Sequence, residues 1–129
     1  MIYHESREQQ DFFRRANLRR YLSGTLRDYV YAVPNGGTAG GRRALIAGVR
    51  RKAEGLTEGV PDIECMVAVA PYTGLHIEMK KSKKDGGKPS DVKAAQKEVM
   101  ARLTKCGRKC TVAFGADEAW AQLLEYLKL

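Results

Sequence analysis

The chain has 129 residues, which is enough for one compact domain and too few for two ordinary ones. Hydrophobic residues make up 43% of it, which excludes wholesale disorder, and no run approaches the ~20 apolar residues that span a bilayer. The net charge of +8 favours a polyanionic partner. The polar N-terminus lacks the order of a signal peptide, so we expect a cytoplasmic protein.

The three cysteines are an odd number in a chain without an export signal, so we expect free thiols and no disulfides. Cys106 and Cys110 are four residues apart, but no second pair of ligands accompanies them. The histidines, His4 and His76, are distant in sequence. Packed thiols are therefore favoured over a zinc site.

The N-terminal half predicts a helix, a strand and a second helix. A helix is expected from about Tyr3 to Leu22, with Glu5, Gln9 and Phe12 on one face and Ser23-Gly24 as its end. Residues 29–33 are aromatic and β-branched, which predicts a strand closed by a proline. After a glycine-rich loop at 35–41, residues 42–53 predict a basic helix.

The C-terminal half predicts a hairpin followed by helix, strand and helix. Apolar runs at 63–70 and 75–80 are joined by Pro-Tyr-Thr-Gly, a turn sequence. A charged loop follows, and Ser90 is expected to cap a helix that runs to about Cys106 and stops at Gly107. Residues 109–114 predict a strand and residues 117–127 an amphipathic helix. The order αβαββαβα predicts one α/β domain over 1–129, a mixed sheet flanked by helices.

Three charged residues around the predicted hairpin are the candidates for metal binding and catalysis. Side chains alternate along a strand, so Glu78 and Lys80 project to the same side. Asp62 enters the neighbouring strand and comes alongside them if the two strands pair. Two carboxylates on adjacent strands suit a hard divalent cation, and an ammonium beside them can stabilise transition-state charge. The spacing alone equally fits the solvated face of an edge strand.

The wider pattern distinguishes these interpretations. The chain resembles the virus-type replication-repair nucleases (VRR-NUC domains), a branch of the PD-(D/E)XK nuclease superfamily. The resemblance rests on segments in the family's order that span nearly the whole chain: Glu5-Ser6-Arg7-Glu8-Gln9, Pro34-Asn35-Gly36-Gly37, Gly59-Val60-Pro61-Asp62, Glu78-Met79-Lys80 and Gln96. It implies the restriction-endonuclease-like fold of stand-alone phage or bacterial members.

The resemblance also implies a set of site residues. Asp62, Glu78 and the Met79 carbonyl would hold the metal, and Lys80 would be the catalytic lysine. Glu5 on the first helix would approach the metal through water, and its helical face agrees with that role. Glu8 is the alternative acid if the helix is rotated. Gln96 falls on an apolar helix face, so it either holds the lysine or the metal-bound water, or lies at the rim of the core.

DNA contacts are expected around the same site. The resemblance places Asn35, Gly36 and Gly37 beside the cleft, although Asn-Gly is also an ordinary turn. Basic residues of the following helix and of the loop after the catalytic strand are candidates for phosphate contact, although a solvated surface also explains them: Arg42, Arg43, Arg50, Arg51, Lys52, Lys81, Lys83, Lys84 and Lys88.

The resemblance implies a DNA endonuclease that uses Mg²⁺, or Mn²⁺ as a substitute, and resolves four-way (Holliday) junctions as a homodimer. A two-fold enzyme cuts a two-fold junction most simply, one strand per protomer. Two alternatives stay open: a monomeric nicking or flap nuclease acting on other branched DNA, and a DNA-binding module with a nuclease-like fold and no catalysis. No membrane partner is expected.

Overall fold

The computed structural model describes residues 3–34 and 42–129. Four helices are present there: α1 (Tyr3–Leu18), α2 (Arg42–Ala53), α3 (Ala94–Lys105) and α4 (Ala116–Leu127). Six strands accompany them: β1 (Arg20–Tyr21), β2 (Gly24–Thr25), β3 (Val30–Ala32), β4 (Ile63–Cys65), β5 (Leu75–Lys80) and β6 (Lys109–Phe114). No helix within these ranges has the length and apolar character needed to cross a membrane.

The main sheet has four strands in the order β3-β4-β5-β6. The pairs β3–β4 and β4–β5 are antiparallel, whereas β5–β6 is parallel and is connected through α3. Every residue of β5 is buried, as expected for a central strand that is covered on both faces. The predicted α/β class with a mixed sheet and flanking helices is confirmed.

The core lies between the sheet, α1 and α4. Ile77 and Met79 of β5 contribute to it together with Phe12 of α1 and Leu123 of α4, all of them almost fully buried. The ring of Phe12 meets that of Trp120 edge to face at 5.9 Å, which fixes the two helices against each other. Because side chains alternate along β5, packing Ile77 and Met79 in this core turns its polar residues to the other face of the sheet.

The predicted extension of the first helix to Leu22 is wrong. The helix ends at Leu18, and the next residues form the small antiparallel hairpin β1–β2. Its two-residue turn places Leu22 at a φ of 50°, and the ring of Tyr21 packs edge to face on Tyr29 at 5.2 Å. This tertiary contact outweighs the helical propensity of the segment.

The predicted strand 63–70 is too long, and the predicted start of the third helix is too early. Strand β4 ends at Cys65, and the hydroxyl of Tyr126 binds the segment after it by donating to the Val67 carbonyl at 2.7 Å. Ser90 does not cap a helix, because residues 89–91 form a single 3-10 turn and α3 is capped at Lys93. The predicted stop is placed well, since Gly107 has a φ of 86° just beyond the helix end.

The outer edge of β6 is covered by side chains of α4. The amide of Gln122 donates to the Val112 carbonyl at 3.0 Å, and the Phe114 N–H donates to the Glu118 carboxylate at 3.1 Å. Two main-chain groups that would otherwise face solvent along this edge, the Val112 carbonyl and the Phe114 N–H, therefore have partners within the same chain.

Candidate metal centre

The register of β4 and β5 brings the predicted acidic residues together. Ile63 pairs with Ile77, so Asp62, one residue before β4, lies opposite Glu78. Both carboxylates and the Lys80 ammonium are deeply buried, with exposed fractions of 6%, 2% and 5%. Buried charged groups require partners, which makes this row of side chains the chemically unusual part of the molecule.

Asp62 is fixed by main-chain hydrogen bonds on both sides. Its carboxylate accepts the Met79 N–H at 2.9 Å, and its carbonyl accepts the Val33 N–H at 2.8 Å. The second bond shows that the main chain of Asp62 faces β3, so by strand alternation the main chain of Pro61 faces β5. Continuing the register sets Pro61 opposite Met79. Proline has no N–H to donate, so the Met79 carbonyl receives no ladder hydrogen bond from Pro61.

The two oxygens of the Glu78 carboxylate have different surroundings. Oε2 accepts a hydrogen bond from the Gln96 amide at 3.0 Å and lies 3.5 Å from the Lys80 ammonium nitrogen. Oε1 is buried and accepts no hydrogen bond from any donor in the described part of the chain. Burial, reinforced by the neighbouring charge of Asp62 and by a hydrogen bond shared with the Asp62 carboxyl group, raises the pKa of Glu78 to about 8, and Lys80 only partly offsets this effect.

These features fit a hard divalent cation. Two carboxylates pressed together out of water repel each other, and a dication relieves that repulsion while using Oε1 of Glu78. Within residues 3–34 and 42–129 no group of three His, Cys, Asp or Glu side chains has metal-binding geometry. The protein donors available to such a cation would be Asp62, Glu78 and the Met79 carbonyl.

Gln96 is held in one amide orientation. The Lys93 N–H donates to its Oε1 at 2.8 Å, so the NH₂ group must be the end that meets Glu78. The sequence predicted a hydrogen bond for this glutamine, and the structure gives it to Glu78, neither to Lys80 nor to a core position. Gly59 makes the arrangement compact, because a Cβ there would lie 2.6 Å from the Ala95 carbonyl oxygen.

The two candidate acids of α1 lie in different places. Glu5 lines the cleft that contains Asp62 and Glu78. Glu8 points elsewhere, because its carboxylate accepts the Ala116 N–H at the start of α4. A carboxylate at that position satisfies a free helix donor and complements the helix dipole. Glu8 is thus engaged in joining α1 to α4, and Glu5 is the acid of this helix that reaches the cleft.

The cleft has a volume of about 700 Å³, and its lining includes the acids Glu58 and Asp91 as well as several basic side chains. Arg51 and Lys52 of α2 line it, together with Lys81 and Lys93. Lys93 was missed by sequence reasoning; its position at the start of the helix that carries Gln96 was the available signal.

The other residues predicted to bind DNA are placed less directly. Lys83 and Lys84 are both exposed. The Lys83 ammonium lies 3.5 Å from the Glu118 carboxylate and over the Phe114 ring. Asn35, Gly36 and Gly37 lie outside the described residues. Arg42 and Arg43 belong to α2, but their side chains lie outside the described part as well.

A second group of polar side chains, which the sequence analysis did not predict, lies further along β4 and β5 from the carboxylates. His76 and Glu64 are paired across β5 and β4, two residues from Glu78 and Asp62. Arg108 donates to His76 Nε2 at 3.1 Å and to Glu64 at 2.5 Å, passing over Gly74, which has no Cβ to block it. Burial, together with the charge of Arg108, lowers the pKa of His76 to about 4. The alternation of His76 with Glu78 and Lys80 was the signal for this group.

A mixed sheet in which Pro-Asp enters one strand and Glu-x-Lys lies on its neighbour defines a class: nucleases of the PD-(D/E)XK type. Among solved structures, the chain is similar to one described as "VRR_NUC domain protein", with 26% sequence identity and a TM-score of 0.80. The match covers 100% of this chain and 92% of the other. The chain therefore has the VRR-NUC fold, as the sequence predicted, and this likeness indicates a nuclease. No family model and no curated protein matches the sequence.

Proposed function

We propose that this chain is a divalent-metal-dependent DNA endonuclease that cuts branched DNA, four-way junctions foremost, as a homodimer. One observation carries the nuclease assignment: Asp62 and Glu78 lie side by side, buried, with Lys80 3.5 Å from Glu78, in a cleft that Arg51, Lys52, Lys81 and Lys93 also line. A merely structural role does not account for three buried ionisable groups in which one carboxylate oxygen accepts no hydrogen bond from a described donor.

Each residue has a definable task in hydrolysis. Asp62 and Glu78 would hold Mg²⁺ or Mn²⁺ with the Met79 carbonyl, and Glu5 would contact a water molecule of the shell. The bound cation supplies Lewis-acid stabilisation of the charge that develops on the phosphoryl oxygens. Lys80 places a positive charge beside Glu78, where it can orient the attacking water and neutralise charge in the transition state. Gln96 keeps Glu78 in one rotamer by hydrogen bonding its Oε2.

The choice of substrate rests on charge and symmetry. The net charge of +8 and the rim formed by Arg51, Lys52, Lys81 and Lys93 suit a phosphate backbone. A four-way junction has two equivalent strands to be cut, and a two-fold dimer presents one site to each.

Cleavage of a labelled four-way junction and of a matched linear duplex, with Mg²⁺ or with EDTA, tests the proposal. We expect paired, symmetric nicks on the junction that disappear with EDTA. Asp62→Asn and Lys80→Ala should abolish them, whereas Lys97→Ala, at an exposed lysine of α3, should cut normally. Cutting of flaps or of duplex would retain the nuclease but reject junction resolution. Binding without cutting in Mg²⁺ and in Mn²⁺ would leave a DNA-binding module.

The native mass of the protein, alone and bound to the junction, tests the dimer separately. A mass of two chains per junction is expected. One chain per DNA molecule, combined with single nicks, would favour the monomeric flap or nicking nuclease instead.

A further inference from the structure

The turn of the hairpin β1–β2 contains a leucine in an unfavourable backbone conformation and an exposed position. Leu22 has a φ of 50° and is the first residue of a two-residue turn, a position that favours glycine. Its side chain is 72% exposed, and that of Leu18, at the end of α1, is 79% exposed. A bulky apolar residue kept in a strained and solvated position is better explained by a ligand than by folding.

The hairpin is firmly attached to the domain. The Leu26 N–H donates to the Arg19 carbonyl at 2.9 Å, and the side chain of Leu26 is fully buried. Tyr21, next to the turn, packs on Tyr29. The tip is therefore a protrusion on a fixed base, able to hold Leu22 against a partner without loss of conformational freedom at the base.

The charges beside the tip identify the kind of partner. Arg19 and Arg20 are exposed and form no ion pair with any residue that the structure describes. Arg15, one turn earlier, is paired with Asp11 and Asp117. Asp28, the acid closest to the hairpin in sequence, accepts the Thr25 N–H at 3.0 Å. The tip thus combines two available cations with an apolar side chain.

We propose that this hairpin is a second DNA-contact site, at which Leu22 packs on a base exposed at a branch while Arg19 and Arg20 bind the adjoining phosphates. Apolar side chains that contact unstacked base steps, flanked by arginine, are an established way of holding distorted DNA. A second copy of the chain is a weaker candidate, because two leucines are far from the ~20 residues per side of a stable interface.

This second contact rests on the proposed function, and the length of α1 sets its distance from the catalytic cleft. Glu5 lines the catalytic cleft, and Leu18 lies thirteen residues further along the same helix. At ~1.5 Å per residue these positions are about 20 Å apart, which corresponds to about six nucleotide steps of ~3.4 Å. The hairpin therefore contacts the DNA away from the scissile phosphate and selects the structure of the substrate without taking part in the chemistry.

The test is binding to a fluorescent four-way junction and to the matched linear duplex in EDTA, where no cleavage occurs. Leu22→Gly is the main variant, and Leu129→Ala, at another exposed leucine, is its control. We expect Leu22→Gly to bind the junction about five- to tenfold more weakly, to bind the duplex within about twofold of wild type, and to melt at the same or a higher temperature, because glycine relieves the positive φ. A 2-aminopurine at the branch should brighten with wild type and less with Leu22→Gly.

The arginines are tested by the salt dependence of the same binding. Arg19→Gln/Arg20→Gln should lower the slope of log K against log salt by about 1.8, since each phosphate contact contributes about 0.9. Arg102→Gln/Lys105→Gln removes the same charge from exposed positions of α3 and should change the slope much less.

Unchanged junction binding by Leu22→Gly would overturn the proposal. So would a loss of native mass in that variant, which would make the tip a surface for self-association. Failure of the nuclease is distinguishable, because binding in EDTA does not depend on cleavage. If the protein never cuts but Leu22→Gly weakens junction binding, the hairpin site stands and the nuclease assignment falls. If the protein cuts but Leu22→Gly binds the junction normally, the nuclease assignment stands and the hairpin site falls.

Discussion

Replacing Glu78 by glutamine should stabilise the metal-free protein at neutral pH. The pKa of Glu78 is raised from 4.5 to about 8, so between these values the folded chain retains a proton that the unfolded chain releases. The contribution of Glu78 to stability is therefore greatest below about pH 4.5 and falls as the pH rises towards 8. At ~1.4 kcal/mol per pH unit, the penalty at pH 7 is about 3 kcal/mol. The glutamine side chain is neutral at every pH and can still accept the hydrogen bond from Gln96.

Urea unfolding in EDTA at pH 5 and pH 7 measures this effect. The free energy of unfolding of Glu78→Gln minus that of wild type should increase by about 2–3 kcal/mol between the two pH values. His76, whose pKa is lowered to about 4, makes stability rise with pH between about 4 and 6.5, but it does so equally in both proteins and cancels in the difference. A difference that stays constant or shrinks with pH would refute the reasoning.

Adding Mg²⁺ should reverse the ranking. A cation at about 100 times its Kd stabilises the folded state by about 2.7 kcal/mol, and the variant with one carboxylate should gain much less. If both proteins gain equally from Mg²⁺, Glu78 is not a ligand. The same carboxylate would then be only a buried acid.

Three further substitutions test the surroundings of the site. Glu8→Gln should lower the free energy of unfolding in urea by about 1 kcal/mol, because it removes the charge that caps α4. The control Glu98→Gln, at an exposed site of α3, should leave it unchanged. Equal effects of the two substitutions would reject the capping role. Gly59→Ala should lower the free energy of unfolding by more than ~1–2 kcal/mol, since it combines a positive φ with a Cβ against the Ala95 carbonyl. The control Gly48→Ala in α2, where no described atom lies within 4 Å of the added Cβ, should raise it by up to ~1 kcal/mol in the same assay. Gln96→Leu should weaken Mn²⁺ affinity, measured by calorimetry, by about 10- to 100-fold. It should also lower the melting temperature by a few degrees, because the Lys93 N–H at the start of α3 loses its partner at a cost of about 1 kcal/mol. Intact affinity would show that Glu78 does not need this hydrogen bond.

The sequence was most informative where two kinds of pattern coincided. Alternation placed Glu78 and Lys80 on one face of a strand, and the Pro-Asp before the neighbouring strand suggested that a second carboxylate joins them. The register of β4 and β5 brings these groups together. The fold class was predictable for a similar reason, because the order of helices and strands admits few topologies.

The features that were missed depend on contacts between distant segments. Nothing local to Arg20 and Tyr21 shows that Tyr21 packs on Tyr29, so a continuous helix was the better prediction from propensity alone. Periodicity left Glu5 and Glu8 nearly equivalent, and only the position of the α4 N-terminus separates them. The contact of Arg108 with His76 and Glu64 joins residues 32 and 44 positions apart, beyond the reach of any sequence window.

The covered edge of β6 limits how two copies of the chain can associate. With Gln122 and Glu118 bonded to the main chain of Val112 and Phe114, a neighbouring molecule cannot extend the sheet across this edge unless α4 first lifts away. A dimer that uses this edge must therefore be built from side chains, with a geometry set by surface shape and charge and without a hydrogen-bond ladder shared along β6. The same closure keeps the Val112 carbonyl and the Phe114 N–H from pairing with a strand of another molecule.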